Sequence, residues 1–194
     1  MRIYFAAISD FEPGRAIARG RRPSAESAAA WSLLLRALRL ERGLDALPAA
    51  ALDERGRPYF PDAPDIHFSL SHTRGFVLCA LGEAPVGADV QLIAEKDMPF
   101  ARRLMDGRER EDFTLHELWC LRESVYKLTG AGDLRSMRFF RRGGDIVPPA
   151  EGVVCRLYGG IPGCAAAAAA YSPAELPERL TELGARELEE TACD

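Results

Sequence analysis

The sequence predicts an α+β domain. Two stretches, 24–42 and 115–129, have helical periodicity and stop signals, and beside each lies a run of short strand-like segments punctuated by glycine and proline turns. At 194 residues, the chain has room for one large domain or two small half-domains and excludes a multi-domain assembly. Its 47% hydrophobic and 28% charged residues are those of an ordinary globular protein, not of a disordered, collagen-like or membrane-embedded one.

The first segment, 2–8, is apolar and of strand length, and a polar stretch carrying Arg15, Arg19, Arg21 and Arg22 follows it. Strong helix formers fill 24–42, with Ser24 at the start, Glu26 nearby and Gly43 just past the end. The turn-rich stretch 48–64 reads as a surface loop. The period then becomes two: Ile66, Phe68 and Leu70 point one way while His67, Ser69 and Ser71 point the other. SHTRG leads into FVLCAL and GEAP into VGADVQLI, so three strands are expected in hairpin succession. On the third, Asp89 and Gln91 share a face opposite Ala88, Val90 and Leu92.

Residues 94–117 are charged and weakly periodic, suggesting a short helix or a connection, and a half-domain boundary is expected there. In 115–129, Leu118, Leu121, Val125 and Leu128 form one helical stripe that Gly130 stops. Further strands are expected after AGD, with turns at Gly143-Gly144 and Gly159-Gly160. The six alanines at 165–170 favour helix by propensity, but their short span between Gly163 and Ser172-Pro173 has the length of a buried strand, which is the reading adopted. The tail from Pro173 is charged, and neither helix nor strand is assigned to it. A helix beside several strands in both halves is compatible with a pseudo-duplicated fold.

Lys and Arg total 25 against 29 Asp and Glu, a net charge of −4, so no global positive field holds a nucleic acid and any anion must be met by a local cluster. Five cysteines without CxxC or zinc-ligand spacing read as free thiols in a reducing compartment. The N-terminal segment lacks a signal-peptide pattern and no apolar run is long enough to cross a bilayer, so a cytoplasmic protein with no membrane partner is expected.

Taken singly, the candidate functional residues have ordinary explanations. Glu123 and Lys127 stand at i and i+4, the spacing of an exposed ion pair worth a few tenths of a kcal/mol. Trp119 on the adjoining face argues that this side of the helix is partly covered and borders a cleft. Asp89 lies within a strand, where Asp is disfavoured and asks for a reason. His72 reads as a turn or packing residue, and Arg21, Arg22 and Arg57 as loop charges, although arginines in Gly/Pro-rich loops are suited to embrace a phosphate.

In combination these segments resemble the Sfp-type 4′-phosphopantetheinyl transferases, which move the phosphopantetheine arm of coenzyme A to a serine of an apo carrier protein. RGRPYFPDAPDIHFSLSHTRG is similar to the family's G-[KR]-P…FN-[IL]-S-H-S-x-G stretch, VGADVQ to G-[IV]-D-[IV]-E, and WCLRESVYKLTGAG to W-x-x-K-E-[AS]-x-x-K-x-x-G-x-G, in that order across about residues 56–132. The resemblance implies an α+β pseudo-dimer of two similar half-domains, 1–93 and 94–194, with coenzyme A in the cleft between them. It implies that Asp89 and Glu123 bind Mg²⁺ on the coenzyme diphosphate and that Lys127 contacts the phosphates. Ser71, His72 and Arg57 would hold the adenosine 3′-phosphate, with Arg21 or Arg22 as a further basic contact. Mg²⁺ commonly takes one or two carboxylates plus substrate phosphates and waters, which agrees with those roles; Glu123 is also the candidate base for the carrier serine.

Two positions depart from the family pattern. Gln91 replaces a second acid, so the metal set Asp89, Gln91 and Glu123 has one less negative charge, and weaker metal affinity is expected; Arg122 replaces the more usual Lys before the helix glutamate. The C-terminal half is compact for this type, so a reduced carrier-docking surface is expected, with Arg102, Arg103, Arg108 and Arg110 as its basic residues. An internal duplication favours a monomer. Two alternatives differ in class: a non-catalytic binder of carrier protein or coenzyme A, which would show no transfer, and a Mg²⁺-dependent hydrolase, which would cleave coenzyme A with no carrier present.

Overall fold

The structure is a computed structural model that describes residues 1–11, 24–94 and 103–184. Strand β1 (Arg2–Ala7) is followed by helix α1 (Ala25–Arg42), the short strands β2 (Ala51–Leu52) and β3 (Pro58–Tyr59), and the longer β4 (His67–Thr73), β5 (Phe76–Gly82) and β6 (Gly87–Leu92). Helices α2 (Gly107–Asp112) and α3 (Leu115–Thr129) come next, then β7 (Phe140–Arg142), β8 (Asp145–Val147), β9 (Val154–Tyr158), β10 (Cys164–Ala170) and β11 (Thr181–Glu182). The mixed α+β class is as expected.

The helix ends follow from their capping residues. The Ser24 side chain accepts the Ser27 N–H at 3.2 Å, and Gly43 closes α1 in the left-handed region at φ 66°. Helix α3 begins with a Thr114/Glu117 capping box and stops at Gly130, φ 63°. The ambiguous 94–117 stretch contains α2, which has its own Asp106/Glu109 capping box.

Strands β11-β1-β5-β4 form one sheet and β6-β10-β9 another. The β4–β5 hairpin is as expected, but the third strand does not extend it. β6 pairs antiparallel with β10, placing Asp89 opposite Ala167 and Gln91 opposite Ala165. Side chains in place of backbone satisfy the edge that β6 turns toward β4. Ser69, Ser71 and Thr73, at alternate positions of β4, accept the N–H groups of Ala88, Val90 and Leu92 at 3.0, 3.3 and 3.0 Å. This comb of hydroxyls joins the face of β4 to the edge of β6 without a ladder and meets the β6 N–H groups turned toward it. β6, the last strand before position 93, thus belongs with β9 and β10, and β11 returns to pair parallel with β1.

The sheets and helices stack in layers. Tyr4, Ala6, Phe68, Val77 and Cys79 pack against Leu33, Leu34 and Leu38 of α1. On the opposite sheet face, Ile3, Phe5, Leu78 and Ala80 meet Ala88, Val90, Ala166 and Ala168 of the second sheet. Ala165, Ala167 and Ala169 then face Leu118, Leu121 and Val125 of α3. Burying each of these large side chains contributes about 1.5–3 kcal/mol. The alanine run is a strand because both its faces are covered and both its edges are paired, which outweighs helix propensity; small side chains also let α3 approach until Ser124 Oγ donates to the Ala167 carbonyl at 3.0 Å.

Gly143 and Gly144 both have positive φ, 61° and 95°, and form the tight β7–β8 turn. Cys79, Cys120, Cys155 and Cys164 are free thiols. Among the described residues, no helix is long and apolar enough to cross a membrane.

Candidate active site

Asp89 projects from β6 toward α3 and is 2% exposed. Its position depends on how closely the helix lies on the strand. A Cβ at Gly87 would collide with the Ser124 carbonyl oxygen and fall 2.7 Å from the Leu128 nitrogen, so only glycine fits beneath this turn of α3. The approach brings Lys127 Nζ within 2.7 Å of Asp89 Oδ1 and 3.1 Å of the Ala88 carbonyl. Ser71 Oγ donates to the same Oδ1 at 2.6 Å, and Gln91 Nε2 donates to Oδ2 at 2.9 Å. The buried Cys120 thiol lies alongside. Burial first, then the Asp89 charge, pushes it well above its ordinary range, so it stays protonated.

The i,i+4 spacing pointed to an exposed Glu123–Lys127 pair, but Lys127 is instead turned to Asp89. Glu123 is half-buried, and its side chain has no hydrogen bond or ion pair among the described residues. Burial, and then the neighbouring Asp89 charge, raise its carboxyl above the usual range; Lys127 opposes the shift. A carboxylate left without a donor beside a second carboxylate is an environment that a divalent cation would relieve. Among the described residues, no group of three or more His, Cys, Asp or Glu side chains could hold a metal ion. A cation taken by Asp89 and Glu123 would therefore draw its other ligands from the Gln91 amide oxygen, substrate and water, the oxygen set that suits Mg²⁺.

Glu123 and Lys127 border a cavity of about 280 Å³ whose wall includes Arg55, Arg57, Ser69 and Tyr126. The Arg57 guanidinium reaches the Leu128 and Val86 carbonyls, both at 3.4 Å, and Arg55 reaches the Thr129 carbonyl at 3.3 Å. Both arginines sit at the C-terminal, negative end of α3, where a cation is favoured. Five N–H donors on a guanidinium leave Arg57 able to meet a further anion in the cavity.

The structure thus joins Ser71, Gln91 and Lys127 to Asp89 by hydrogen bonds and sets Glu123, Lys127 and Arg57 on the wall of one cavity. It does not bring His72 to them. Alternation along β4 turns His72 to the other face, where it is exposed and lies within electrostatic reach of Glu26 at the start of α1. Arg21, Arg22 and Arg102 lie outside the described residues. Arg103, Arg108 and Arg110 are exposed, and Arg108 is stacked 4.4 Å over the Phe140 ring.

The role of Glu109 is one that sequence reasoning missed. Arg122 and Glu109 have side chains only 1% exposed and pair at 3.0 Å; Arg122 also donates to the Leu104 carbonyl at 2.9 Å. Glu109 in turn accepts the Phe139 N–H at 3.2 Å and the Asp106 N–H at 3.1 Å. This buried pair ties α2 and the 137–139 segment to α3 one residue from Glu123. Within REREDF, nothing distinguishes the buried acid from its solvated neighbours.

No protein-family model matches the chain. Curated 4′-phosphopantetheinyl transferases do match it. One from Bacillus subtilis is 30% identical over 91 residues, covering 42% of this chain and 41% of the relative. The 4′-phosphopantetheinyl transferase Sfp of Bacillus subtilis (strain 168) is 33% identical over 90 residues, covering 41% and 40%. The 4′-phosphopantetheinyl transferase psf-1 of Bacillus pumilus is 34% identical over 87 residues, covering 40% and 37%. The chain spans about two-fifths of the length of these relatives. Over that stretch, the protein is similar to the Sfp-type 4′-phosphopantetheinyl transferases.

Proposed function

We propose that the protein transfers 4′-phosphopantetheine from coenzyme A to a serine of an apo acyl or peptidyl carrier protein. The coenzyme would lie between two similar half-domains, 1–93 and 94–194, which share β6 and β11 across their boundary, in a cytoplasmic monomer. The carrier serine oxygen attacks the phosphorus that bears the pantetheine arm, the P–O bond to 3′,5′-ADP breaks, and the serine proton passes to Glu123. Glu123 borders the cavity and has no donor among the described residues, which leaves a carboxylate oxygen free to accept that proton.

Asp89 and Glu123 would hold Mg²⁺, with the Gln91 amide oxygen as a neutral third ligand. When bound, the ion supplies neutralising charge on the diphosphate as the leaving group departs. Lys127 adds a second positive charge, released from Asp89 toward the phosphates, for which its 27% exposed side chain has room. Arg57 on the cavity wall is the contact for the adenosine 3′-phosphate that the geometry supports; Arg21, Arg22 and His72 are proposed on the resemblance alone. An acidic carrier would dock on the exposed Arg103, Arg108 and Arg110. The observation that carries this reading is the Glu123 carboxylate, without a partner among the described residues, beside the ringed Asp89 and on a cavity that Lys127 and Arg57 also border.

The test is to incubate the protein with coenzyme A, Mg²⁺ and an apo carrier and weigh the intact carrier. Gain of one phosphopantetheine group is expected, with little coenzyme A consumed when the carrier is omitted. An unmodified carrier would remove the transferase reading, and cleavage without carrier would replace it with hydrolysis.

A further inference from the structure

On the resemblance, Ser71 would touch the adenosine 3′-phosphate, but its surroundings assign its hydroxyl elsewhere. Ser71 is 6% exposed. Its oxygen accepts the Val90 N–H at 3.3 Å, and its proton goes to Asp89 Oδ1 at 2.6 Å. A serine hydroxyl has a single proton to give, and here a buried carboxylate takes it. Ser69 and Thr73 cap the same edge of β6, yet Ser69 donates back to the Ala88 carbonyl at 3.4 Å and Thr73 accepts from Leu92 at 3.0 Å. Ser71 is the member of the comb that reaches Asp89.

The donors around Asp89 differ in freedom. Lys127 and Gln91 are partly exposed and can turn to a ligand. Ser71 belongs to a strand paired with β5 from His67 to Thr73, so its hydroxyl is fixed against the backbone of Val90. We propose that Ser71 is a positioning residue that holds the Asp89 carboxylate in one orientation while Lys127 and Gln91 turn to a diphosphate and its cation, and that it does not contact the 3′-phosphate. The inference rests on the transfer reading above for its activity arm, and on Mg²⁺ binding alone for its second.

The test uses Ser71→Ala, Ser71→Thr and Thr73→Val, with coenzyme A and dephospho-coenzyme A as donors across a Mg²⁺ series. Calorimetric titration of Mg²⁺ into the coenzyme A-loaded protein accompanies it. Losing a hydrogen bond to a charged group predicts that Ser71→Ala raises both the Mg²⁺ Kd and the half-saturating Mg²⁺ by about tenfold. Its kcat/KM preference for coenzyme A over dephospho-coenzyme A should stay within about twofold of wild type. Ser71→Thr restores Mg²⁺ binding, and Thr73→Val, which deletes a capping hydroxyl remote from Asp89, binds Mg²⁺ as the wild type does. Should Ser71→Ala fail to fold, Ser71→Cys, similar in size but a weak donor, takes its place.

Collapse of the coenzyme A preference in Ser71→Ala would make Ser71 a phosphate contact and overturn the proposal. So would unchanged Mg²⁺ binding, or an equal loss in Thr73→Val. A wild-type protein that binds Mg²⁺ but transfers nothing defeats the transfer reading alone, and the calorimetric comparison still decides the role of Ser71. A wild type that binds no Mg²⁺ overturns both.

Discussion

Gly87 lies so close beneath Ser124 that a methyl group at position 87 would overlap the Ser124 carbonyl oxygen. This backbone-to-backbone approach of β6 and α3 sets the distance between Asp89 on the strand and Glu123 and Lys127 on the helix. Gly87→Ala is therefore predicted to push α3 away, costing about 1–3 kcal/mol or more as overpacking. Transfer should fall further than the lost stability explains. Denaturant midpoints beside initial rates check it, and an alanine variant with wild-type values in both would show that the approach is not needed.

Glu123→Gln should separate stability from activity. The raised Glu123 carboxyl means that its favourable contribution to folding is present below the ordinary carboxylate range and is lost as pH rises through its own elevated value. At neutral pH without metal, the glutamine variant should melt higher than wild type, with the two converging in acid. Transfer should be abolished. Melting curves at several pH values, taken with chelator, test the sign.

Removing one partner of the buried Glu109–Arg122 pair leaves the other charged and unmatched. Glu109→Ala should cost about 3–5 kcal/mol and leave the Phe139 N–H without an acceptor. Urea unfolding measures it. A loss below about 1 kcal/mol, the scale of an exposed pair, would contradict the burial.

Gln91→Glu would replace an amide donor 2.9 Å from Asp89 Oδ2 with a second carboxylate. Without metal the variant should lose about 1–3 kcal/mol. Mg²⁺ with coenzyme A should restore more stability than it adds to wild type, as read from paired melting curves. Equal metal-induced shifts would place Gln91 away from the cation.

The parts of the fold written locally were legible from sequence. Ser24, Gly43 and Gly130 mark the ends of two helices because capping is decided within a turn of chain. The alternation of 66–71 likewise gave the faces of that part of β4, with Ser69 and Ser71 opposite Phe68 and Leu70; that these hydroxyls, with Thr73, cap the edge of β6 came only with the structure. What could not be read was the choice of distant partner. The β5–β6 connection is short enough for a hairpin, yet β6 joins β10; Lys127 has a glutamate one turn away, yet pairs with an aspartate 38 residues back. Glu109 is buried because three donors from separate segments meet there, which local composition does not encode. The residue types of the candidate site were recoverable from motif order, and the alternation already sets Ser71 and His72 on opposite faces; what required the strand in place was which of those faces meets Asp89.

The most direct test of the central claim is a crystal structure with coenzyme A and Mn²⁺ standing in for Mg²⁺, read by anomalous scattering. The account predicts one strong peak within bonding distance of both Asp89 and Glu123, against the coenzyme diphosphate, with Lys127 turned from Asp89 toward a phosphate. A coenzyme bound with its diphosphate away from these carboxylates, or a peak that touches neither, would contradict it.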